Sequence, residues 1–362
     1  MLYKKKLLLF LSLMIIVLIL HSGEVFSSST FKSIQPTNTE TGSSPTEQNP
    51  SSPQPTGSTG PSNCGQLHLF RDGKKEPAYQ FYNQQAYVSN PGGWVACTAS
   101  VDSTSTVYPG GEVEDYARVV NEAIVAHTGS VRNNAVVDNS LIYGIVSGNA
   151  TVQNNSKLSD PNTKVYGSAL VDNSNLSDNS TIYGKAQVFE SFLNGFSEIF
   201  GEANVHHTFL QSRTGPSQQI HPMIYDDAVV NDSQVDDYAK VYEDASLTQA
   251  TVGDVAEIYG NAKVKYQCLV VDNAKIYGSA ELQFTQVSGT AQVYGNAVVN
   301  SSFITDGASL FENALFENSV AFGFAKVHGH SDVTQCSSIS GEADVQGYPR
   351  IAGPIITGKC HD

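Results

Sequence analysis

The sequence predicts an all-β protein built as a solenoid, in which the chain coils repeatedly around one axis. Aliphatic residues recur every five or six positions over most of the chain, and a small residue precedes many of them by two positions. Only 15% of the 362 residues are charged, against roughly 25% in an average globular domain. Ser, Thr, Asn, Gly and Tyr replace the Lys, Glu and Arg that helix surfaces usually carry.

The repeat begins with valines at a six-residue spacing. The series is Val95, Val101, Val107, Val113, Val119, Val125, Val131 and Val137. Ala117, Ala123 and Ala135 each lie two residues before one of these valines. Because alternate residues of a strand point to the same side, the small and the aliphatic side chain share one face of a short strand.

From Tyr225 the repeat becomes a longer unit. Seven units follow one another, five of 17 residues and two of 18. Aliphatic steps of five, six and six residues, as in Leu247, Val252, Ile258 and Val264, predict three short strands per unit and a triangular coil. Periods of this length are typical of solenoids, whose turns bury apolar side chains against their neighbours. We therefore expect Val252, Ile258, Val264 and the small residue Ala256 to point inward.

The motif within these units resembles the hexapeptide-repeat superfamily of left-handed β-helices. Val293-Tyr-Gly-Asn-Ala297 has the aliphatic residue, the turn residues and the small residue of that motif, and Ile258-Tyr-Gly-Asn-Ala262 repeats it. The resemblance covers residues 95–351, and the GGWV segment before Val101 is similar to the entry segment of uncharacterised bacterial members. The resemblance implies left-handed winding, and with the repeat it predicts a single-stranded, left-handed parallel β-helix of about 14 mostly 17-residue coils, with N- and C-terminal caps over its open ends.

Coil length distinguishes this chain from the superfamily's enzymes. Those enzymes usually have full 18-residue coils in a short prism that forms a trimer, whereas most coils here have 17 residues. About 14 coils, at roughly 4.8 Å each, predict a rod on the order of 70 Å long. Those proportions favour a scaffold over a trimeric acyltransferase.

The sequence divides into five segments. Lys4–Lys6 and the apolar run 7–20 indicate a signal peptide over residues 1–27, with an uncleaved anchor as the alternative. Residues 28–63 predict a disordered Ser/Thr/Pro-rich linker. An N-terminal cap over 64–94, a β-helix over 95–351 with a loop insertion at 211–223, and a C-terminal tail over 352–362 complete the chain.

Five cysteines in an exported chain indicate disulfides. Their positions predict that Cys64 pairs with Cys97 and that Cys336 pairs with Cys360. Cys268 is then unpaired, and its small-residue position predicts a buried side chain.

Histidines supply the candidate catalytic residues. In the superfamily that the motif resembles, acyltransferases use a histidine as general base, often near an extended loop. His206 and His207 precede the 211–223 insertion, and His221 lies within it. Adjacent histidines in a turn are more often a solvated corner than a catalytic site, and acyl-coenzyme A is not available outside the cytoplasm.

Metal and cofactor sites are not predicted. Relatives resembling γ-class carbonic anhydrases bind zinc through three histidines, two of them in an H-x4-H spacing. The chain offers His328-Gly-His330, which lacks that spacing, so we expect no metal and no cofactor.

An aromatic residue follows the aliphatic residue at one corner of many units. In a coil of fixed register these residues would stack one coil apart along one edge, and the column comprises Tyr166, Tyr183, Phe200, Tyr225, Tyr242, Tyr259, Tyr277, Tyr294 and Phe311. Its tyrosines are candidate ligand-binding residues for sugars. The interpretation we favour is that the stack stabilises the turn, because a Gly often follows the aromatic residue, and both roles can hold together.

Together these features predict a secreted or surface-exposed, non-catalytic solenoid that serves as a rigid scaffold or adhesive module, with a polysaccharide or cell-surface glycan as its partner. The alternative is an exported acyltransferase that uses His206 or His207 as general base. The net charge of −15 argues against nucleic acid, and no membrane contact is expected of the folded domain.

Overall fold

The structure, a computed structural model, describes residues 64–81, 92–212, 221–334, 338–347, 350–351 and 356–360. All of them belong to the second of the chain's two compact units, residues 57–362. The signal peptide predicted for 1–27 and the linker predicted for 28–63 lie outside the described residues.

The described residues form strands and turns, with no helix among them, which confirms the all-β prediction. Short strands stack in parallel into three faces, and the chain passes from face A to face B to face C in each coil. Fourteen such coils follow one another, as the repeat predicts. The left-handed winding stays an expectation from the resemblance.

The strands of each face contact their equivalents in the neighbouring coils. Face A comprises Trp94–Ala96, Glu112–Val113, Ser130–Val131, Ile145–Val146, Lys164–Val165, Thr181–Ile182, Glu198–Ile199, Met223–Ile224, Lys240–Val241, Glu257–Ile258, Lys275–Ile276, Gln292–Val293, Ser309–Leu310 and Lys326–Gly329. Face B comprises Ser100–Val101, Arg118–Val120, Val136–Asp138, Thr151–Gln153, Leu170–Asp172, Gln187–Phe189, Asn204–His206, Val229–Asn231, Ser246–Thr248, Lys263–Lys265, Glu281–Gln283, Val298–Asn300, Leu315–Glu317, Asp332–Thr334 and Arg350–Ile351. Face C comprises Thr106–Val107, Ile124–Val125, Leu141–Ile142, Lys157–Leu158, Asn175–Leu176, Phe192–Asn194, Phe209–Gln211, Gln234–Asp236, Thr251–Val252, Leu269–Val270, Gln286–Val287, Phe303–Ile304 and Val320–Ala321.

Inward side chains form one continuous core along the axis. Val252, Ile258, Val264 and Ala256 are all 0% exposed, as the repeat predicts. Each inward residue lies beside its equivalent in the next coil; Leu247, for example, pairs in register with Val264. Complete burial of one such aliphatic side chain contributes about 1.5–3 kcal/mol, so the stack of coils supplies the stability that no single coil has.

One coil is shorter than the repeat predicts. Val131 pairs with Val146, so this coil has 15 residues. The turn from face C back to face A contains only Tyr143 and Gly144. A Cβ on Gly144 would lie 2.3 Å from the carbonyl oxygen of Thr163 in the next coil. Only glycine fits this tight turn, because any side chain would collide with backbone.

A hairpin of Gln66–Leu69 and Lys75–Gln80 covers the N-terminal end of the coils. Lys75–Gln80 pairs antiparallel with Trp94–Ala96, the first strand of face A. The hairpin thus pairs with part of a strand edge that would otherwise expose free backbone groups. A disulfide between Cys64 and Cys97, with a Cα–Cα distance of 5.8 Å, links the hairpin to the first coil.

The C-terminal end is formed by two longer strands. Ile339–Gly347 pairs with Ala321 of face C and then with Lys326–Gly329 of face A, so this strand continues both faces. Ile356–Cys360 pairs in parallel with Ile339–Gly347. Cys336 and the side chain of Cys360 lie outside the described part of the chain, so the disulfide predicted between them stays a prediction.

Candidate functional site

Ten rings stack along the corner where face A turns into face B. Neighbouring ring centroids lie 4.5–5.0 Å apart, with interplanar angles of 1–8°. We call this stack the aromatic ladder. It consists of Tyr166, Tyr183, Phe200, Tyr225, Tyr242, Tyr259, Tyr277, Tyr294, Phe311 and His328. The column predicted from the sequence is therefore present.

The tenth ring, His328, extends the predicted column. It stacks on Phe311 at 4.5 Å, and its Nε2 lies 2.9 Å from Asp344 Oδ1 in the next coil. The signal was present in the sequence, because His328 begins the last repeat unit at the position where the other units carry Tyr or Phe.

The ladder continues without offset because the turn that follows each ring also stacks. Gly260, next to Tyr259, has a φ of 72°, and a Cβ placed on it would lie 2.9 Å from the backbone nitrogen of Gly278. Glycine is favoured here by its positive φ and by the close approach of the next coil. The fixed turn holds each ring directly over its neighbour.

The ladder presents ring edges to solvent more than ring faces. Two rings lying side by side in one plane with centroids only 4.9 Å apart would collide, so Tyr259 and Tyr277 lie in parallel planes, one above the other. Each ring then covers part of the next ring's face. A sugar ring stacks on an open, flat ring face. The ladder therefore does not offer a strip of such faces.

A second column runs beside the ladder on the outer side of face A. Its members precede the ladder rings by two residues and so point to the same side of the strand. They include Glu198, Met223, Lys240, Glu257, Lys275 and Gln292. Lys275 Nζ lies 2.9 Å from Glu257 Oε2, and the hydroxyl of Tyr277 donates to Gln292 Oε1 at 3.2 Å. Face A therefore carries charged and amide groups alongside tyrosine hydroxyls.

The tyrosine hydroxyls of the ladder stay protonated at neutral pH. Partial burial, and after it the charge of Glu198, raises the pKa of Tyr183 to about 12. Burial, and after it the charge of Glu257, also raises the pKa of Tyr242. Each hydroxyl can therefore both donate and accept a hydrogen bond.

The three candidate catalytic histidines lie on different parts of the coil. His206 is on face B, with its ring stacked on Phe189 at a centroid distance of 4.4 Å. His207 follows it at the corner between faces B and C, with a φ of 45°. His221 lies between face C and face A, within the predicted insertion. The structure does not gather them into one site.

The contacts of His207 and His221 also differ. His207 Nε2 contacts the Glu190 carboxylate, and its Nδ1 lies 3.8 Å from Asp232 Oδ1, with more than half of the side chain exposed. His221 Nε2 lies 2.9 Å from Glu198 Oε2, and its Nδ1 is buried without a hydrogen-bond partner. Of the two, His207 has the more accessible ring.

Acidic side chains gather at the corner between faces A and B, beside the ladder. An open groove of about 440 Å³ there is lined by Glu202, Asp226, Asp227, Glu243 and Asp244. No group of three or more His, Cys, Asp or Glu side chains within the described ranges is arranged to hold a metal ion. The described ranges also contain no helix long and apolar enough to cross a membrane.

Comparisons with known proteins do not assign the chain to a family. No family model matches the chain, and no curated protein matches it. Among solved structures, a protein described as a "putative acetyltransferase" from Desulfovibrio desulfuricans G20 is similar over 65% of this chain, with 11% identity and a TM-score of 0.19. The match spans 66% of that protein's length. A similarity this low carries no argument about function.

Proposed function

We propose that the chain is an exported, non-catalytic β-solenoid that binds an extended polysaccharide along face A. The observation that carries the proposal is the aromatic ladder with the polar column beside it. One tyrosine hydroxyl and one polar side chain recur in most of these coils, so the surface repeats in step with the coils.

The spacing of the ladder suits a linear polysaccharide. Successive coils advance by roughly 4.8 Å, a length comparable to one pyranose unit in an extended chain. A polymer that lies along the axis would therefore meet one ladder ring per sugar. Hydrogen bonds from hydroxyls and from the polar column would supply most of the affinity, because the ring faces are partly covered by their neighbours. Weak contacts repeated along one polymer add up through multivalency.

Export is supported by the disulfide between Cys64 and Cys97, because disulfides persist mainly in oxidising compartments. In that setting a solenoid whose coils rest on one continuous core can serve as a rigid scaffold or adhesive module. The signal peptide predicted for residues 1–27 belongs to the same proposal.

The test is a glycan-array screen with the purified chain, followed by a variant that removes only hydroxyls. The triple substitution Tyr242→Phe, Tyr259→Phe and Tyr277→Phe keeps the stacked rings and should abolish or strongly weaken binding. Tyr116→Phe is the matched control, because Tyr116 is 68% exposed and lies outside the ladder. Equal binding by the triple variant and the wild type would exclude the ladder hydroxyls, and an array without any bound glycan would refute polysaccharide binding.

A second candidate function is acyl transfer with His207 as general base. The observation that favours it is the pair of carboxylates, Glu190 and Asp232, on either side of an accessible imidazole. A carboxylate beside a histidine orients the ring and stabilises its protonated form during catalysis. Incubation with acetyl-coenzyme A and an amino-sugar acceptor tests this candidate. Turnover that is lost in His207→Ala but kept in His206→Ala would support it, and no turnover by the wild type would exclude it for this donor and acceptor.

A further inference from the structure

A second groove lies at the corner where face B turns into face C. It is open to solvent, has a volume of about 590 Å³ and extends over four successive coils. Its outer wall consists of the corner residues His207, Asp232, Gln249 and Gln267, one from each coil. The groove is separate from the aromatic ladder, which follows the corner between faces A and B.

The outer wall projects because of its backbone conformation. The four corner residues have φ angles of 45°, 48°, 54° and 59° in chain order. In the last of these coils Tyr266 also has a positive φ, so two residues instead of one form the turn. This coil is correspondingly longer, with Ile258 paired to Ile276 in the next coil. The extra residue extends the wall at that end.

The floor of the groove is low because small side chains line it. Ser233, Ala250 and Cys268 occupy the first position after each corner and are buried. The Ser233 hydroxyl accepts a hydrogen bond from the Ala250 backbone nitrogen at 3.1 Å. Each lies two residues before an inward aliphatic residue, as Ala250 does before Val252, so its side chain points into the coil and does not occupy the groove.

The polar groups of the groove are dominated by side-chain amides. Gln234 from face C joins Gln249 and Gln267 of the outer wall, and Asp232 adds a carboxylate. A side-chain amide presents one acceptor oxygen and a donor NH₂ group. It can therefore donate to the carbonyl oxygen of an acetamido group or accept from its N–H, and two such amides in neighbouring coils can serve both groups. The Gln234 amide is oriented by its own hydrogen bond to Asp236 Oδ2, at 2.6 Å.

One aromatic ring in the groove has a face that no other ring covers. Phe209 stacks on Phe192 with a centroid distance of 5.2 Å and an interplanar angle of 4°. In the next coil its register partner is Gln234, so the aromatic stack ends at Phe209. Gln234 occupies the equivalent position in the next coil and lies over that face, so Phe209 offers its ring edge to the groove as an apolar contact. Leu269 adds an apolar contact at the far end.

We propose that this groove binds a short oligosaccharide of N-acetylated hexosamines. The acetamido groups form hydrogen bonds with the side chains of Gln249 and Gln267, Asp232 accepts hydrogen bonds from the sugar, and one pyranose packs against the ring edge of Phe209. Four coils span roughly 14 Å between the first and the last, which accommodates two or three sugars. The proposal does not depend on polysaccharide binding at face A.

The experiment is calorimetric titration of the full chain with three probes of equal length. These are the trimer of N-acetylglucosamine, the trimer of glucosamine and cellotriose. The N-acetylated trimer should bind, and the other two should bind at least about tenfold more weakly, because loss of one good pair of hydrogen bonds costs about 1.4 kcal/mol. Equal binding of cellotriose would overturn recognition of the acetamido group. No binding of the N-acetylated trimer would overturn the site.

Variants locate the binding in the groove. Gln249→Ala combined with Gln267→Ala should abolish binding of the N-acetylated trimer, and Phe209→Leu should weaken it. Gln187→Ala is the matched control, because Gln187 is exposed on face B outside the groove. Thermal melts monitored by circular dichroism establish that each variant is folded. Undiminished binding by the folded double variant would refute the proposal. The triple Tyr→Phe variant of the ladder should bind the trimer like the wild type, which separates this site from face A.

Discussion

The Cys268 thiol occupies a position in the coil at which other coils carry a hydroxyl. Its Sγ accepts a hydrogen bond from the Thr285 backbone nitrogen at 3.4 Å and donates one to the Lys265 carbonyl oxygen at 3.0 Å. The Ser174 hydroxyl has the same two roles, as it accepts from the Ser191 nitrogen at 3.0 Å and donates to the Asp172 carbonyl. The free cysteine is therefore part of a series of side-chain hydrogen bonds that joins the coils at the corner between faces B and C.

The stability of Cys268 variants should depend on whether the new side chain can form these two hydrogen bonds. Cys268→Ser should keep or raise stability, since a hydroxyl forms stronger hydrogen bonds at the same position. Cys268→Ala should lower the free energy of unfolding by about 1 kcal/mol, because both hydrogen bonds are lost. Chemical denaturation measures both changes. A Cys268→Ala variant as stable as the Ser variant would mean that the thiol only fills space.

The same thiol should be chemically inert in the folded protein. Burial raises the pKa of Cys268, and only a thiolate reacts readily with alkylating reagents. Iodoacetamide at pH 8 should therefore modify Cys268 only after denaturation, as measured by mass spectrometry of the non-reduced chain. Rapid modification of the native protein would contradict the buried placement.

Substitution of Ala256 tests the packing inside the coil. Ala256 is fully buried, so Ala256→Leu should overpack the core and lower stability by roughly 1–3 kcal/mol. The neighbouring Val255 is 39% exposed, and Val255→Leu should have little effect. Thermal melts of the two variants form a matched pair. Equal melting temperatures would show that Ala256 does not point inward.

The aromatic ladder should stabilise the coils whether or not it binds a ligand. Tyr259 stacks on Tyr242 at 5.0 Å and on Tyr277 at 4.9 Å. Tyr259→Ala removes both contacts, each worth about 0.5–1.5 kcal/mol beyond burial, whereas Tyr259→Phe keeps them. Urea unfolding should therefore rank the Ala variant clearly below the Phe variant. Tyr116→Ala, outside the ladder, should stay within about 0.5 kcal/mol of the wild type.

Stability should fall as the pH rises through the titration of Glu114. Burial, and after it the charges of Asp72 and Glu112, raises the pKa of this carboxyl from 4.5 to about 7. The Ser130 hydroxyl and the charge of Arg132 oppose the shift without cancelling it. Between pH 4.5 and 7 the folded state keeps a proton that the unfolded state has lost, so stability decreases with rising pH in this window.

Glu114→Gln should remove that part of the pH dependence. The variant should match the wild type near pH 4 and exceed its stability at pH 8 by an amount on the order of 2 kcal/mol. Glu342→Gln, at an exposed position, is the control. Parallel stability curves for Glu114→Gln and the wild type between pH 4 and 8 would contradict the raised pKa.

The cysteines at the two ends can be tested together. Peptide mapping without reduction should recover Cys64 linked to Cys97, and it tests directly whether Cys336 is linked to Cys360. Cys64→Ser combined with Cys97→Ser should lower the free energy of unfolding by about 2–4 kcal/mol, because the closed loop spans 33 residues. A peptide that links Cys268 to another cysteine would contradict its buried, unpaired state.

The sequence by itself determined the coil and the aromatic ladder. Alternation of Ala and an aliphatic residue decides which side chains point inward, because a strand has a period of two. A nearly constant repeat then places residues such as Tyr242 and Tyr259 in equivalent positions of adjacent coils. Both results follow from local spacing, which a single sequence displays directly.

Tertiary structure alone decided the rest. The 15-residue coil between Val131 and Val146 depends on the close approach of Gly144 to Thr163 in the next coil. The local sequence pattern does not predict this contact. The groove lined by Phe209 and Gln249 arises in the same way, because its walls come from residues of four different coils. Residues more than a dozen positions apart become neighbours only when every turn between them has its final length. Those turn lengths are set by packing between coils in the folded chain.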